Sequence, residues 1–196
     1  MRLIALRLRN FKGCREFDLT ANGNDVNVYG DNATGKTTLH DAWTWQLFGK
    51  DSANRADFDV KTLDADNNPV HGLAHEVETV LRLDNGREVT LRKVYKEKWT
   101  KRRGSATAEF TGHTTDHYID GVPVKKGEYD GFIADLADEN VFGLLSDPTY
   151  FNEHLHWEER RALLLEVCGD VSDAEVIASN KALAALPNIL GQRSID

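Results

Sequence analysis

The stretch GDNATGKT, residues 30–37, contains amino acids whose types and spacing suit phosphate binding. Gly30 and Gly35 allow the backbone to curl so that successive N–H groups point at phosphate oxygens. Lys36 supplies a mobile ammonium for the β- and γ-phosphates of a nucleotide, and the Thr37 hydroxyl can ligate Mg²⁺. The stretch matches the pattern GxxxxGK[ST] at every position. We therefore predict a phosphate-binding loop, and a glycine-containing turn that binds nothing is the alternative.

The elements predicted on either side of this loop are those that such a site requires. Residues 25–30, DVNVYG, read as a short strand that runs directly into the loop. Residues 37–48 carry apolar side chains at helical spacing, and the positive N-terminal end of this helix would face the phosphates. Trp43 and Trp45 lie on the helix, and we predict that they are core residues rather than adenine-stacking ones.

The rest of the chain predicts an α/β protein in three parts. Residues 1–56 hold strands, the loop and the first helix, residues 57–126 an antiparallel β subdomain, and residues 127–196 a helical part. Two hairpins are predicted in the middle part, one with a type I′ turn at Asn85-Gly86 and one with Asp120-Gly121 at its turn. Later helices are predicted at 128–138, at 157–169 and from Ser172, which with Glu175 forms a capping-box pattern.

Composition limits the classes of protein that the chain can represent. No apolar run approaches the roughly 20 residues that span a bilayer. Arg7 and Arg9 interrupt the apolar N-terminus, so it is not a signal peptide. Cys14 and Cys168 lie far apart, which gives no disulfide framework and no zinc site and makes a cytoplasmic location the default expectation. The net charge of −8 argues against a protein that coats nucleic acid uniformly.

Three stretches together resemble one known family. They are Asn10-Phe11-Lys12-Gly13, FDL at 17–19 and YGDNATGKTTLHDAWTWQLFG at 29–49. They are similar to the N-terminal ATPase-head lobe of SMC/SbcC-like proteins, the ABC-type coiled-coil ATPases of chromosome maintenance and DNA double-strand-break repair. The resemblance covers residues 1–50 closely and residues 150–167 more loosely. It implies a P-loop NTPase of the ABC/SMC-head type, an AAA-type ATP-binding protein, with a mixed sheet, an attached antiparallel β subdomain and C-terminal helices that lead to a coiled coil.

The resemblance also implies which residues form the site. ATP and Mg²⁺ are the implied cofactors, Lys12 matches the family's basic residue that reaches the nucleotide phosphates, and Thr37 matches the metal-binding threonine. Asn152 or Glu153 is nearest by position to the family's metal-coupling glutamine. The family usually has a glycine where this chain has Ala33. The implied nucleotide-binding residues are Lys12, Gly30, Asn32, Ala33, Thr34, Gly35, Lys36, Thr37 and Thr38.

The parts that such a family needs for hydrolysis are missing from this sequence. A Walker B strand ends in Asp-Glu, and FIADLADE at 132–139 ends in this way, but Asp135 interrupts it and its spacing is helical. No LSGG-like signature occurs, so we expect no catalytic residue within the chain. The chain then looks like one lobe, either truncated or complemented by another polypeptide, which binds ATP with little or no turnover.

Several functions remain open on this interpretation. The leading one is the ATP-binding half of an SMC/SbcC-like ATPase in DNA repair, recombination or processing. Its candidate partners are a complementary C-terminal lobe or second protomer, and a nuclease. A stand-alone P-loop kinase or nucleotidase is the enzymatic alternative, and multiple turnover by the purified chain would favour it. A module that dimerises with ATP without hydrolysis is the non-enzymatic one, and ATP-dependent self-association without turnover would favour it.

One segment, residues 92–103, is strongly basic inside an acidic chain. It holds seven basic residues and one Glu. Cations can neutralise phosphates and aromatic rings can stack on bases, so the segment is a candidate for duplex DNA binding. A solvated hairpin edge, where lysines block edge-to-edge pairing, explains it equally well. The DNA-binding candidates are Arg92, Lys93, Lys96, Lys98, Trp99, Lys101, Arg102 and Arg103.

Overall fold

The computed structural model describes residues 1–101, 107–147, 149–169 and 172–191. Its strands are β1 (Arg2–Phe11), β2 (Cys14–Thr20), β3 (His75–Arg82), β4 (Glu88–Thr100), β5 (Glu109–Ile119) and β6 (Val122–Val124). Its helices are α1 (Lys36–Phe48), α2 (Lys126–Leu136), α3 (Glu139–Ser146), α4 (Tyr150–Glu153), α5 (Trp157–Cys168), α6 (Asp173–Ser179) and α7 (Leu186–Leu190), with a 3-10 turn at Lys181–Leu183. The chain divides into two compact units, Met1–Phe142 and Gly143–Asp196. Among the described helices, none has the length and apolar character to cross a membrane.

A six-stranded sheet in the order β2-β1-β3-β4-β5-β6 forms the first unit. The α/β class is the predicted one, but each of the five strand pairings is antiparallel, whereas the sequence predicted a mixed sheet. β1 pairs with β3, so the strands assigned to the first and second predicted parts belong to one sheet. Most neighbouring strands here follow one another through short connections, and such connections produce antiparallel pairs.

Helix α1 and helix α2 pack on this sheet and form its core. The alternating strands supply one apolar face each, as their period of two requires. One cluster of buried residues joins β1 and β3 to α1 and contains Leu6, Leu8, Phe11, Ala42, Trp45, Val60 and Val77. A second cluster joins β3 and β4 to the end of α1 and to α2 and contains Leu47, Leu81, Val89, Leu91, Tyr129 and Ile133. Trp45 is therefore a core residue, as predicted, and Trp43 packs at the edge of the second cluster.

The two predicted hairpins are present, but their turns differ. At the β5–β6 turn both Asp120 and Gly121 have positive φ, at 50° and 78°, as a type I′ turn requires. At the β3–β4 turn only Gly86 has positive φ, and its N–H bonds the carbonyl of Leu83. This longer turn, with one left-handed glycine, is the next most common hairpin connection, so the predicted type I′ turn is wrong there.

The segment before the phosphate loop is not the strand that the sequence predicted. Residues 25–30 form no ladder with the described strands, and their apolar side chains are exposed. Val26 is 41% exposed, Val28 43% and Tyr29 87%. A run of β-branched and aromatic residues becomes a strand only when another strand supplies hydrogen bonds and an apolar face, and the described chain supplies neither at this position.

The second unit consists of short helices. α5 begins at Trp157, close to the predicted start, and has no buried residue along its length, with Leu164 and Val167 exposed. The capping box predicted before α6 is confirmed, since the Ser172 hydroxyl accepts a hydrogen bond from the N–H of Glu175 and the Glu175 carboxylate accepts one from the N–H of Ser172.

Candidate nucleotide-binding site

The phosphate loop ends in a left-handed glycine from which α1 begins. Gly35 has φ +95° and occupies the N-cap position, and no side chain caps the helix there. The first turn of α1 carries no acidic residue. Its N–H groups and the positive end of the helix dipole are thus available to an anion.

Close contacts inside the loop explain its small residues. A Cβ added to Gly30 would lie 2.7 Å from the Thr34 hydroxyl oxygen, so a larger residue would displace Thr34. The Thr34 hydroxyl in turn donates to the carbonyl of Asp31 at 2.8 Å. Ala33 has φ +64°, a conformation that is unfavourable for any residue but glycine. The alanine that replaces the family's usual glycine is thus accommodated in a strained left-handed conformation.

Lys36 folds back over the loop. Its ammonium donates hydrogen bonds to the carbonyl oxygens of Gly30 and Asp31, each at 2.6 Å. The side chain is exposed. The ammonium can exchange these neutral acceptors for phosphate oxygens, because opposite charges add a Coulomb attraction that a neutral carbonyl does not supply.

The β1–β2 turn stands opposite the loop and presents Lys12. The Lys12 ammonium donates to Oδ2 of Asp41 at 2.5 Å and lies 5.3 Å from the centre of the Phe58 ring. No role of Asp41 was predicted, although the residue belongs to the stretch 29–49 that carries the family resemblance. Only the folded chain shows it beside Lys12, because 29 residues separate the two in sequence.

A cavity of about 480 Å³ lies between the loop and this turn. Its lining includes every predicted nucleotide-binding residue except Asn32 and Thr37. The lining also includes residues that were not predicted to bind a nucleotide, and several of these have apolar side chains. They are Gly13, Cys14, Phe17, Val28, Tyr29 and Leu39. A cavity lined by both phosphate-binding groups and apolar side chains suits a nucleotide, which carries charged phosphates and an aromatic base.

Two of the predicted metal-binding residues belong to the second unit. Asn152 and Glu153 are in α4, in the second unit, so their proposed role beside the loop stays a prediction. Thr37 is the second residue of α1 and is exposed. Within the described ranges, no group of three or more His, Cys, Asp or Glu side chains could hold a metal ion by itself. Mg²⁺ in nucleotide sites usually takes its ligands from substrate phosphates, water and one or two protein oxygens.

The Walker B interpretation of FIADLADE is excluded. Residues up to Leu136 belong to α2, and Glu139 begins α3. Glu139 accepts a hydrogen bond from the ammonium of Lys50 at 2.6 Å. Asp138 thus lies between two helices and Glu139 begins the second one, so the pair does not end a buried strand.

The described part of the basic segment, residues 92–101, does not form one positive surface. Arg92 and Lys96 lie on one face of β4, where Arg92 pairs with Glu76 at 3.0 Å and Lys96 with Asp116 at 2.5 Å. Lys98 and Lys101 are exposed, and the indole N–H of Trp99 donates to Glu97. Arg102 and Arg103 lie outside the described residues. Arg92 and Lys96 are thus paired with carboxylates. The DNA-binding role of Lys98, Trp99 and Lys101 stays a prediction.

Lys93 points to the opposite face of β4 and is part of the core. The residue is 4% exposed, and its ammonium donates to the carbonyl of Trp45 at 2.9 Å. It lies over the rings of Trp45 and Tyr129, at 5.6 and 5.1 Å from their centres. Burial lowers the pKa of Lys93 to about 8. This side chain cannot reach a DNA phosphate from its position.

Comparisons with known proteins agree with this geometry. The AAA domain family matches residues 5–140, more than half of the chain, and the chain therefore belongs to that family. A solved structure from work on the structural biochemistry of ATP-driven dimerization and DNA-stimulated activation of SMC ATPases is similar, with a TM-score of 0.57 and 17% identity, over 85% of this chain and 99% of that one. No curated protein sequence matches the chain.

A second solved structure, that of the recombination mediator protein RecF with ATP in the RecFOR pathway, is less similar. Its TM-score is 0.43 at 16% identity, and the match covers 86% of this chain and 47% of that one. The family match and the SMC-type fold nevertheless confirm the predicted class. The chain is a domain of the AAA family, and its fold is similar to that of the SMC ATPase structure.

Proposed function

We propose that this chain binds Mg-ATP in the cavity between residues 30–38 and the β1–β2 turn. The observation that carries the proposal is the convergence of three features on that cavity. They are the uncapped N-terminus of α1, the exposed ammonium of Lys36 and the ammonium of Lys12 on the opposite wall. Two cations and a helix N-terminus together suit a triphosphate better than a single phosphate. Thr37 is the proposed Mg²⁺ ligand.

We further propose that the chain is the N-terminal half of an SMC/SbcC-like ATPase and hydrolyses ATP only with a complementary lobe. The unpaired segment 25–30, with Val26, Val28 and Tyr29 exposed, supports this proposal, because it is the strand that would join a sheet supplied by another lobe. The location of Asp138 between α2 and α3, with Glu139 as the first residue of α3, also supports it, since no Walker B strand is found in the described chain. A role in DNA repair, recombination or processing rests on the family resemblance alone.

Titration of Mg-ATP into the purified chain, followed by calorimetry and by tryptophan fluorescence, tests ATP binding. Trp43 and Trp45 lie on α1, which begins at the loop. We expect saturable binding that Lys36→Ala weakens at least tenfold, or about 1.4 kcal/mol. Lys50→Ala, a matched lysine variant just beyond the other end of α1, should change the dissociation constant less than about twofold.

The outcomes separate the three functions. No heat and no fluorescence change at millimolar ATP would overturn ATP binding by the isolated chain. Multiple turnover by the purified chain would favour a stand-alone kinase or nucleotidase over a half-site. Self-association that requires ATP, measured by light scattering without phosphate release, would favour the dimerisation module.

A further inference from the structure

Asp41 is a buried carboxylate that joins two separate parts of the chain. The residue is 3% exposed. Its Oδ2 accepts the hydrogen bond from Lys12, while its Oδ1 accepts from the backbone N–H and from the hydroxyl of Ser52, at 2.9 and 2.5 Å. Burial alone would raise the pKa of Asp41, but the hydrogen bonds from Lys12 and Ser52 lower it below its ordinary value. Asp41 is therefore a fixed negative charge at neutral pH.

Lys12 is held at several points besides this ion pair. Its backbone is left-handed, with φ +47°, and its N–H donates to the carbonyl of Val60 at 3.0 Å. Its ammonium packs over the Phe58 ring. The side chain nevertheless keeps 27% of its surface exposed and lines the same cavity as the phosphate loop.

This arrangement removes a cost that an unrestrained lysine would add to binding. A free lysine side chain has rotamer entropy, part of which is lost when the ammonium is fixed on a ligand. In this chain the ammonium is already fixed before a ligand arrives. An ammonium has three N–H donors and the bond to Asp41 uses one, so donors remain for an oxygen in the cavity.

We propose that Asp41 is a positioning residue for nucleotide phosphates, which acts through Lys12 by fixing its ammonium at the wall of the cavity opposite Lys36. The inference rests on the proposed binding of ATP in this cavity. It assigns to Asp41 a contribution to ATP affinity that requires Lys12, in addition to any contribution to stability.

A double-mutant cycle with Asp41→Asn and Lys12→Ala tests this coupling, with the dissociation constant of Mg-ATP measured by calorimetry. We expect Asp41→Asn to weaken binding roughly threefold to tenfold, a preorganisation effect. In the Lys12→Ala background, the same change should have no further effect. A purely structural role of Asp41 would instead weaken binding equally in both backgrounds.

Ser52→Ala is the matched control, because it removes a donor to the other oxygen of Asp41 and leaves the ion pair in place. It should lower the thermal stability while changing the dissociation constant less than about twofold. If Asp41→Asn is too unstable to titrate, Asp41→Glu, which keeps the charge but displaces it, replaces it in the same cycle.

The outcomes distinguish this inference from the proposed function. Binding that depends on Lys36 but is unchanged in Asp41→Asn would overturn the inference and leave the function intact. Tighter binding in Asp41→Asn would show that Asp41 competes with phosphate for Lys12, and this would also overturn it. If the unchanged chain does not bind Mg-ATP, the proposed function fails and the inference fails with it.

Discussion

Lys36 and Lys93 both donate hydrogen bonds to backbone carbonyls, yet their surroundings are opposite. The Lys36 ammonium bonds Gly30 and Asp31 in an exposed glycine-bounded loop. The Lys93 ammonium bonds Trp45 beneath the end of α1 and is enclosed by two aromatic rings. The same functional group thus occurs at a surface open to ligands and inside a core.

The difference shows that the burial of a lysine side chain determines whether its ammonium can bind a ligand. An exposed ammonium stays charged and can exchange a carbonyl for a phosphate at little desolvation cost. A buried ammonium has lost most of its hydration, so its charged form is disfavoured and its pKa falls. We therefore expect substitutions around Lys93 to change stability and substitutions in the loop to change binding.

The largest expected effect is a loss of stability when the buried polar network around Gln46 is broken. Gln46 is fully buried, its amide N–H donates to the carbonyl of Leu91 at 2.5 Å, and its amide oxygen accepts from Thr79. Gln46→Ala would leave these groups unpaired and create a cavity, so we expect a loss of about 2–4 kcal/mol in the free energy of unfolding. Urea denaturation measures it. Thr37→Ala on the same helix should change it less than about 0.5 kcal/mol, and equal losses would contradict the contrast between core and loop.

Lys93→Met should increase the free energy of unfolding at pH 7 by about 1–3 kcal/mol, because it removes a buried charge. The direction in which stability changes with pH follows from the pKa of Lys93 in the folded and the unfolded chain. The folded chain releases the Lys93 proton near pH 8 and the unfolded chain only near 10.5, so the unfolded state binds more protons between these values. The stability contribution of Lys93 should therefore rise from about pH 8 to 10.5 and be constant below that range. Denaturation curves at several pH values check this rise, which Lys93→Met should abolish.

The basic segment also contains exposed and paired lysines, and these can be compared in DNA binding. If it binds duplex DNA, the exposed Lys98 and Lys101 should carry the affinity, and Lys96, paired with Asp116, should not. Replacing Lys98 and Lys101 together by Ala should weaken binding roughly threefold to tenfold at low salt and reduce its salt dependence. Lys96→Ala should change it less than about twofold. Fluorescence anisotropy with a labelled duplex measures both, and equal losses would show that pairing does not disable the cation.

The smallest expected effect is at Ala33, within the loop. Ala33→Gly relieves the left-handed strain of an alanine but increases the entropy of the unfolded chain, so the free energy of unfolding should rise by less than about 1 kcal/mol. Thermal melting measures the change. Ala33→Val should destabilise the chain, because a β-branched residue tolerates positive φ less well. A stabilising valine would show that the loop can leave the left-handed conformation.

Much of the local structure follows from the sequence. The helix after the loop, both hairpins and the capping box at Ser172 are present where they were predicted. Each depends on a few residues that are neighbours in sequence, as the β5–β6 hairpin depends on Asp120-Gly121. The segment 25–30 has the composition of a strand but no described pairing, since composition cannot supply the neighbouring strand that a ladder requires.

The sequence by itself determined the phosphate loop and the helix that follows it, because their spacing is encoded within one short stretch. Only the tertiary structure decided which charges are available. It paired Lys12 with Asp41, buried Lys93 under α1 and placed Arg92 against Glu76. These outcomes depend on burial and on contacts between residues that are distant in sequence, and both arise only when the helices pack against the sheet.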